Sequence, residues 1–321
     1  MTEETKKGGP NGTQAFTTEL AAFGRAFPDK GLFFALLAAW LALFHFLGNA
    51  TFGYIDTSSL LKWMYVAYTT PASEDSHGVL VPLVVAGLFW WKRQELIPVP
   101  KATWWPGLLV IALALVLHLG GYLVQQPRIC IIGFLLGIYG LMGLVWGRSW
   151  LQACFFPFIL FLFCVPIGSL ADSITFPLRM LVTKISVGLT HQVLGIAVIR
   201  DGSRIFDPQL TYQYDVAPAC SGIRSLISLL ALTTIYGFVT FITSWKRLLM
   251  VFVALPLALA GNVIRVTSVI IVAEAFGQDA GSKVHDWAGF ATYGLAIAGM
   301  LVLGYFLRED QGLPRIKDHP A

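Results

Sequence analysis

Apolar residues in this chain do not alternate. They come in long runs separated by short polar stretches. A helix needs about 20 predominantly apolar residues to cross a bilayer. Runs of that kind occupy residues 31–53, 78–91, 104–124, 129–147, 150–168, 222–243, 248–273 and 287–307. The pattern predicts an all-α polytopic membrane protein with about eight transmembrane helices. The second run is the shortest and holds Pro82. It reaches across only if Ser76 and His77 lie in one interface and Lys92 and Arg93 in the other. The first 30 residues are polar, with Gly8, Gly9, Pro10 and Gly12 close together, and read as a flexible tail. Residues 308–321 read as a second tail, and 31–307 as a single transmembrane domain. The first run has no short h-region and no A-x-A site, so it reads as an anchor, not a cleaved signal.

One stretch breaks this rhythm. Residues 172–199 are apolar but carry Asp172, Arg179, Lys184, His191 and Gln192. A helix lying in the outer interface accommodates that mixture better than a span. Two half-spans are the alternative. Residues 200–217 follow, with turn signals at Asp201-Gly202 and Asp207-Pro208 and a strand-like Thr211-Tyr212-Gln213-Tyr214-Asp215-Val216. A small strand-containing outer cap is therefore expected just before the sixth run.

Composition supports the membrane class. Hydrophobic residues make up 56% and charged residues 12% of 321, where a soluble domain carries about a quarter charged. Mean hydropathy is +0.70. An ordinary soluble enzyme, a disordered chain and a nucleic-acid binder are excluded. The net charge of +4 reflects basic residues between apolar runs, as topology requires. With the N-terminus placed inside, the inner segments hold Lys6, Lys7, Arg25, Lys30, Lys92, Arg93, Lys101, Arg148, Lys246, Arg247, Arg308, Arg315 and Lys317. The short outer loops hold Lys62, Arg128 and Lys283. Both termini are thus expected in the cytoplasm of a cell (inner) membrane protein. Four cysteines are too few for a disulfide scaffold. Cys130, Cys154 and Cys164 read as small buried hydrophobes.

The polar residues of the last three runs converge on one depth. Cys220 stands in Ala217-Pro218-Ala219-Cys220-Ser221-Gly222, where the sixth helix should begin. Ser221 is a helix-capping residue type. A helix N-terminus lowers the pKa of a thiol and offers free N–H groups to an oxyanion. Arg265 lies inside the seventh run, where a charge is costly and marks function by default. It is 18 residues beyond Arg247, a rise of about 27 Å, which brings it to the outer boundary. Asn262 precedes it by three and shares its helix face. His285 and Asp286 stand at the outer start of the eighth run. The imidazole suits a base, acid or thiolate partner, and Asp286 an orienting or capping role. Arg224 lies at i+4 from Cys220, a second cation for a thiolate or a substrate carboxylate. His77 opens the second run and is a candidate lining residue. His45 and His118 read as helix–helix hydrogen-bonding or interfacial residues. No metal site and no cofactor is indicated.

Ala219-Cys220-Ser221-Gly222-Ile223-Arg224-Ser225, Asn262-Val263-Ile264-Arg265-Val266 and His285-Asp286-Trp287-Ala288-Gly289 resemble, in order and spacing, the three signature motifs of the exosortase/archaeosortase family. Ser76-His77-Gly78-Val79-Leu80-Val81-Pro82 and Phe176-Pro177-Leu178 with Leu194-Gly195-Ile196 resemble it too. The likeness covers roughly residues 54–307. Pro218 departs from it, standing where many relatives have Glu or another residue. The resemblance implies a membrane cysteine transpeptidase or endopeptidase. Its substrates would be membrane-anchored proteins with a C-terminal sorting motif such as Pro-Glu-Pro, a transmembrane helix and a basic tail. It further implies Cys220 as nucleophile, Arg265 as proton donor or oxyanion partner, and His285 as transition-state stabiliser or base. The alternatives are a transporter, or a non-catalytic assembly protein of exopolysaccharide or surface-protein export. A transporter should line the midplane with polar residues and repeat its halves, and neither is visible. The scissile bond would lie at the outer interface, so segment 172–199 is the expected lateral gate.

Overall fold

The computed structural model describes residues 12–50, 55–71, 73, 75–167, 170–215 and 223–309, without the side chains of residues 12–15, 170–172, 174, 175, 215, 223–225 and 286. It is mostly helical. The chain divides into two compact units, Met1–Pro166 and Ile167–Ala321.

The first unit contains α1 (Gly12–Arg25), α2 (Lys30–Phe46), α3 (Leu60–Thr69), α4 (Val81–Trp91), α5 (Arg93–Leu96), α6 (Gly107–Leu123), α7 (Pro127–Trp146) and α8 (Arg148–Ile159). Helix α7 is its axis. Gly137 faces Trp40, whose ring occupies the space a Cβ would need. The Trp40 indole N–H donates to Phe134 O at 3.0 Å. A Cβ at Gly107 would lie 2.6 Å from Leu144 N. Small residues let helix backbones close together in a membrane protein, where packing replaces the hydrophobic drive between helices. Trp40, Phe44, Phe134, Trp146 and Trp150 fill the resulting core.

The run boundaries shift for local reasons. Helix α2 stops at Phe46, not 53. The Gly48 and Asn49 N–H groups both bond Ser58 O, folding the chain back into α3. That helix was not foreseen, its ten residues being too few for a span. It is capped by Ser59, whose hydroxyl accepts from Lys62 N and also pairs with His45 Nδ1 at 3.1 Å. Residues 12–25, expected as part of a tail, form α1. There Phe16 packs on Trp90, ring centroids 5.0 Å apart, and Glu19 pairs with Arg93 at 2.6 Å. Pro157 inside α8 removes a backbone donor, and the fifth run finishes as a 3-10 turn, Leu160–Cys164. Cys130, Cys154 and Cys164 are buried, free thiols. His118 is buried with its ring against Phe44.

The second unit contains α9 (Leu170–Gln192), β1 (Ile199–Asp201), β2 (Arg204–Phe206), β3 (Gln213–Asp215), α10 (Ile223–Thr240), α11 (Ser244–Phe276) and α12 (Gln278–Phe306). Helix α9 ends seven residues before the expected 199. Beyond it Gly195 adopts φ +69°, and Ile196 N–H reaches back to Thr190 O at 3.1 Å. The helix packs on α11, buries Arg179, Val182, Thr183, Ser186 and Thr190, and exposes Phe176, Leu181, Ile185 and Leu189. The Ser186 hydroxyl donates to Val263 O at 3.4 Å. The strands form one antiparallel sheet, order β1-β2-β3, with Arg200 opposite Ile205 and Ile205 opposite Tyr214. Gly202, at φ +61°, makes the first turn. The Asp207 carboxylate makes the second, accepting from Tyr212 N at 3.0 Å and the Thr211 hydroxyl at 2.9 Å. Ile205 seats the sheet on Val182, Val266 and Ile270.

Helices α10, α11 and α12 pack through Leu229, Ala254 and Ala296, and through Phe241, Met250 and Met300. One residue, Gly277 at φ +87°, joins α11 to α12. At the other end of this hairpin, Glu309 accepts from Ile242 N at 2.8 Å and Thr243 N at 3.1 Å. Lys246 donates to Leu307 O at 2.8 Å.

Among the described residues, three helices are long and apolar enough to cross a bilayer: Pro127–Trp146, Ser244–Phe276 and Trp287–Phe306. Phe16–Arg25 and Lys30–Phe46 qualify together as a pair bent by 86°. Val81–Trp91, Gly107–Leu123, Arg148–Cys164 and Leu226–Thr240 are apolar and shorter.

Candidate active site

Helix α11 is continuous past Arg265, so the intramembrane arginine is held on a rigid rod. The guanidinium turns toward α12. Its Nε and Nη2 donate to the backbone carbonyl of His285, at 3.2 and 3.0 Å. Gly289 lies beside it. A Cβ there would stand 3.5 Å from Arg265 Cζ, an ordinary contact distance. Five N–H donors are fixed in the plane of an arginine side chain. Two go to His285 O, and the other three bond none of the described residues and are open to a further acceptor.

Asn262 is one turn below, 7% exposed, and its Nδ2 has no partner among the described residues. Asn262, Arg265, Gly289, Thr292 and Tyr293 line a cavity of about 20 Å³ between α10, α11 and α12, room for one water. Leu229, Leu257, Ala258 and Ala296 line the rest, so Asn262 and Arg265 face an apolar wall. The Thr292 hydroxyl is turned back to Ala288 O at 2.7 Å.

The α12 boundary corrects one expectation. His285 and Asp286 were placed at the outer start of the eighth run, and the apolar span does begin at Trp287; what changes is Asp286 as a possible cap. Helix α12 begins at Gln278, so both residues lie inside it, in its second and third turns. The polar sequence Gln278–Asp286 falls outside any apolar run, yet Gly277 reverses the chain tightly enough for α12 to continue alongside α11.

The structure therefore brings Arg265, Asn262 and the backbone of His285 together. Cys220 and Ser221 lie outside the described residues. Arg224 stands in the first turn of α10, and neither its side chain nor that of Asp286 is among the described atoms. His77 belongs to the first unit, in a 3-10 turn at Ser76–Val79. Its Nδ1 is buried without a partner among the described residues.

The sheet sits at the Gly277 end of the α11–α12 hairpin. The Tyr212 hydroxyl donates to Glu274 at 3.1 Å. Burial, then this carboxylate, push the Tyr212 pKa up, so the phenol stays a neutral donor. Burial raises the Asp207 pKa, but the Tyr212 N–H and Thr211 hydroxyl outweigh it and hold the carboxyl below its usual range. Tyr214 donates to Gln278 O at 2.7 Å. The Gln278 amide bonds both backbone groups of Gln213, at 2.8 and 3.0 Å. Tyr212 and Tyr214 belong to the strand-like stretch that the sequence marked. Gln278 carried no sequence signal.

No curated protein and no solved structure matches the chain. The family described as transmembrane exosortase matches residues 63–302, three quarters of the sequence. That span contains all three motif stretches, the Arg265–His285 pair and the sheet that precedes Cys220. On this match the chain belongs to the transmembrane exosortase family.

Proposed function

We propose that the protein is a membrane-embedded cysteine endopeptidase or transpeptidase that cuts C-terminal sorting signals through a thioester at Cys220. The observation that carries this reading is the Arg265 guanidinium clasped to the His285 backbone. It puts an always-charged donor and an imidazole-bearing residue on adjoining helices, in the chain order the family motifs share.

The chemistry follows from the donor set. The Cys220 thiolate attacks the scissile carbonyl carbon, and a C–S bond forms. Negative charge develops on the carbonyl oxygen. Arginine is not deprotonated in proteins, so Arg265 acts as oxyanion partner rather than proton donor, through the N–H groups that His285 O leaves over. The proton work falls to His285, because imidazole is the side-chain type suited to both giving and taking a proton. As imidazolium it protonates the departing amine when the C–N bond breaks. As imidazole it takes the proton of the acceptor, an amine or water, that resolves the thioester. Asn262, Arg224, Asp286 and Ser221 are assigned supporting roles around this centre, and no cofactor or metal enters the scheme.

Orientation is argued from the hairpin. Lys246, Arg247 and Arg308 gather at the end of α11 and α12 opposite Gly277. Under the positive-inside rule that end is cytoplasmic, which puts Arg265, His285 and the sheet outside, where an exported substrate would present its signal. The exposed apolar stripe of α9 then faces lipid, next to the route a substrate helix would take.

The test is direct. Cys220→Ala should abolish cleavage of a membrane-anchored reporter ending in a cognate sorting signal, with insertion retained. Trapping the wild type should yield, by mass spectrometry, a substrate fragment bonded to Cys220 and released by hydroxylamine. Full cleavage by Cys220→Ala would sink the proposal.

A further inference from the structure

The sheet has two edges, and among the described residues only one is closed. Strand β3 forms that edge. The Gln213 N–H and C=O point away from β2, and both bond the Gln278 side-chain amide, at 2.8 and 3.0 Å. This fixes the hydrogen-bond phase of the whole sheet, because bonded and non-bonded pairs alternate along an antiparallel ladder. Gln213 stands opposite Phe206 and Tyr214 opposite Ile205, so Ile205 and Tyr214 are the bonded pair. The Ile205 N–H and C=O are then spent on β3. Those of Arg204 and Phe206 face β1, where their partners are Asp201 and Ile199.

Arg200 is left over. It stands opposite Ile205, so its backbone N–H and C=O point out of the sheet, and no described residue bonds them there. Ile199, Arg200 and Asp201 are all exposed. An unpaired strand edge is a template for another strand. Extended peptides dock on such edges through backbone bonds, and their alternate side chains give selectivity. Here the selectivity is electrostatic. Register puts the Arg200 side chain on the sheet face that carries Ile205 and Tyr214. Its Nη1 makes one long bond, 3.5 Å, to Met180 O of α9. A residue of an added strand opposite Arg200 would meet this guanidinium, and opposite charges across a strand pair attract. The place also suits a substrate. Ile205 packs on Val266 of α11, the residue after Arg265. A strand added to β1 would run two strand spacings from β2, about 10 Å.

We propose that the β1 edge docks the extended segment of the anchored substrate. That segment adds as a fourth strand, bonded to the Arg200 backbone, with a carboxylate side chain opposite the Arg200 guanidinium. This deepens the reading of the protein as an enzyme that cuts anchored substrates, and rests on it.

The test uses the full chain in membrane vesicles and an anchored reporter that carries Pro-Glu-Pro before its transmembrane helix. Benzoylphenylalanine in place of Ile199 should photo-cross-link to that segment. In place of Phe276, exposed beside the closed edge, it should not. Arg200→Pro deletes an N–H that the sheet does not use, and edge strands accept proline at such positions. It should raise KM about tenfold, with kcat changed little and the thermal midpoint unchanged. Ile199→Pro deletes an N–H that β2 does use, and should lower the midpoint. Arg200→Glu keeps the backbone bonds. It should raise KM for this reporter and lower it for one carrying Pro-Lys-Pro. No cross-link at position 199, or Arg200→Pro with the wild-type KM, overturns the docking edge. Full cleavage by Cys220→Ala overturns the catalytic reading instead. The cross-link is read without cleavage, so the two failures are told apart.

Discussion

Replacing Arg265 by lysine keeps the charge and removes the geometry, so it separates two explanations of why an arginine stands in α11. The guanidinium spends two donors on one backbone carbonyl, at 3.2 and 3.0 Å, and keeps three in the same plane. An ammonium is a point charge on a flexible stem and cannot reproduce that fork. Losing the two bonds should cost roughly 2 kcal/mol of local stability, too little to prevent insertion. The catalytic cost is larger. Loss of one oxyanion donor lowers kcat by about 100-fold to 1,000-fold. The retained charge puts Arg265→Lys near the lower end, about 100-fold, with KM changed little because the donor works in the transition state. Initial rates of reporter cleavage in membranes, with Cys220→Ala as the zero, measure it. A lysine variant within twofold of wild type would refute the reasoning. It would show that position 265 supplies charge alone.

Other consequences can be checked separately. Gly107→Val should force α6 away from Leu144 and destabilise the first unit by about 1–3 kcal/mol, lowering the thermal midpoint in detergent; an unchanged midpoint would contradict the close α6–α7 approach. The Glu309 carboxyl is held down to about 2, from 4.5, by the Thr243 hydroxyl and the Ile242 N–H, with Lys246 adding to them and burial opposing. Its folded-state value is depressed, so its contribution is complete above pH 4.5 and is lost as pH falls toward 2. Glu309→Gln should therefore lower the thermal midpoint near neutrality and flatten its fall in acid, and equal slopes for both proteins would exclude the cap. A cysteine pair tethering α9 to α10 should block cleavage of a full-length anchored substrate more than that of a short soluble peptide. Equal inhibition of both would remove α9 from the substrate route.

Much of this protein is written in one dimension. Long apolar runs determine helices, because a backbone in lipid must satisfy its hydrogen bonds within its own segment. Each predicted run is helical at its centre. The same local logic marked Arg265, since a charge in an apolar run is conspicuous wherever the chain folds, and marked the turns at Asp201-Gly202 and Asp207-Pro208. The boundaries were not legible, because they depend on partners distant in sequence. Helix α1 exists through Phe16 on Trp90 and Glu19 on Arg93. Helix α2 ends where Ser58 O captures two N–H groups. Helix α12 starts nine residues early because one glycine lets it lie along α11. The clasp of Arg265 on the His285 carbonyl was likewise invisible, for it joins a side chain to a backbone atom, and backbone atoms leave no trace in residue identity. Gln278 shows the limit most plainly. An exposed glutamine in a polar stretch has no distinguishing pattern. Only the tertiary placement of an open strand edge beside it turns its amide into a latch.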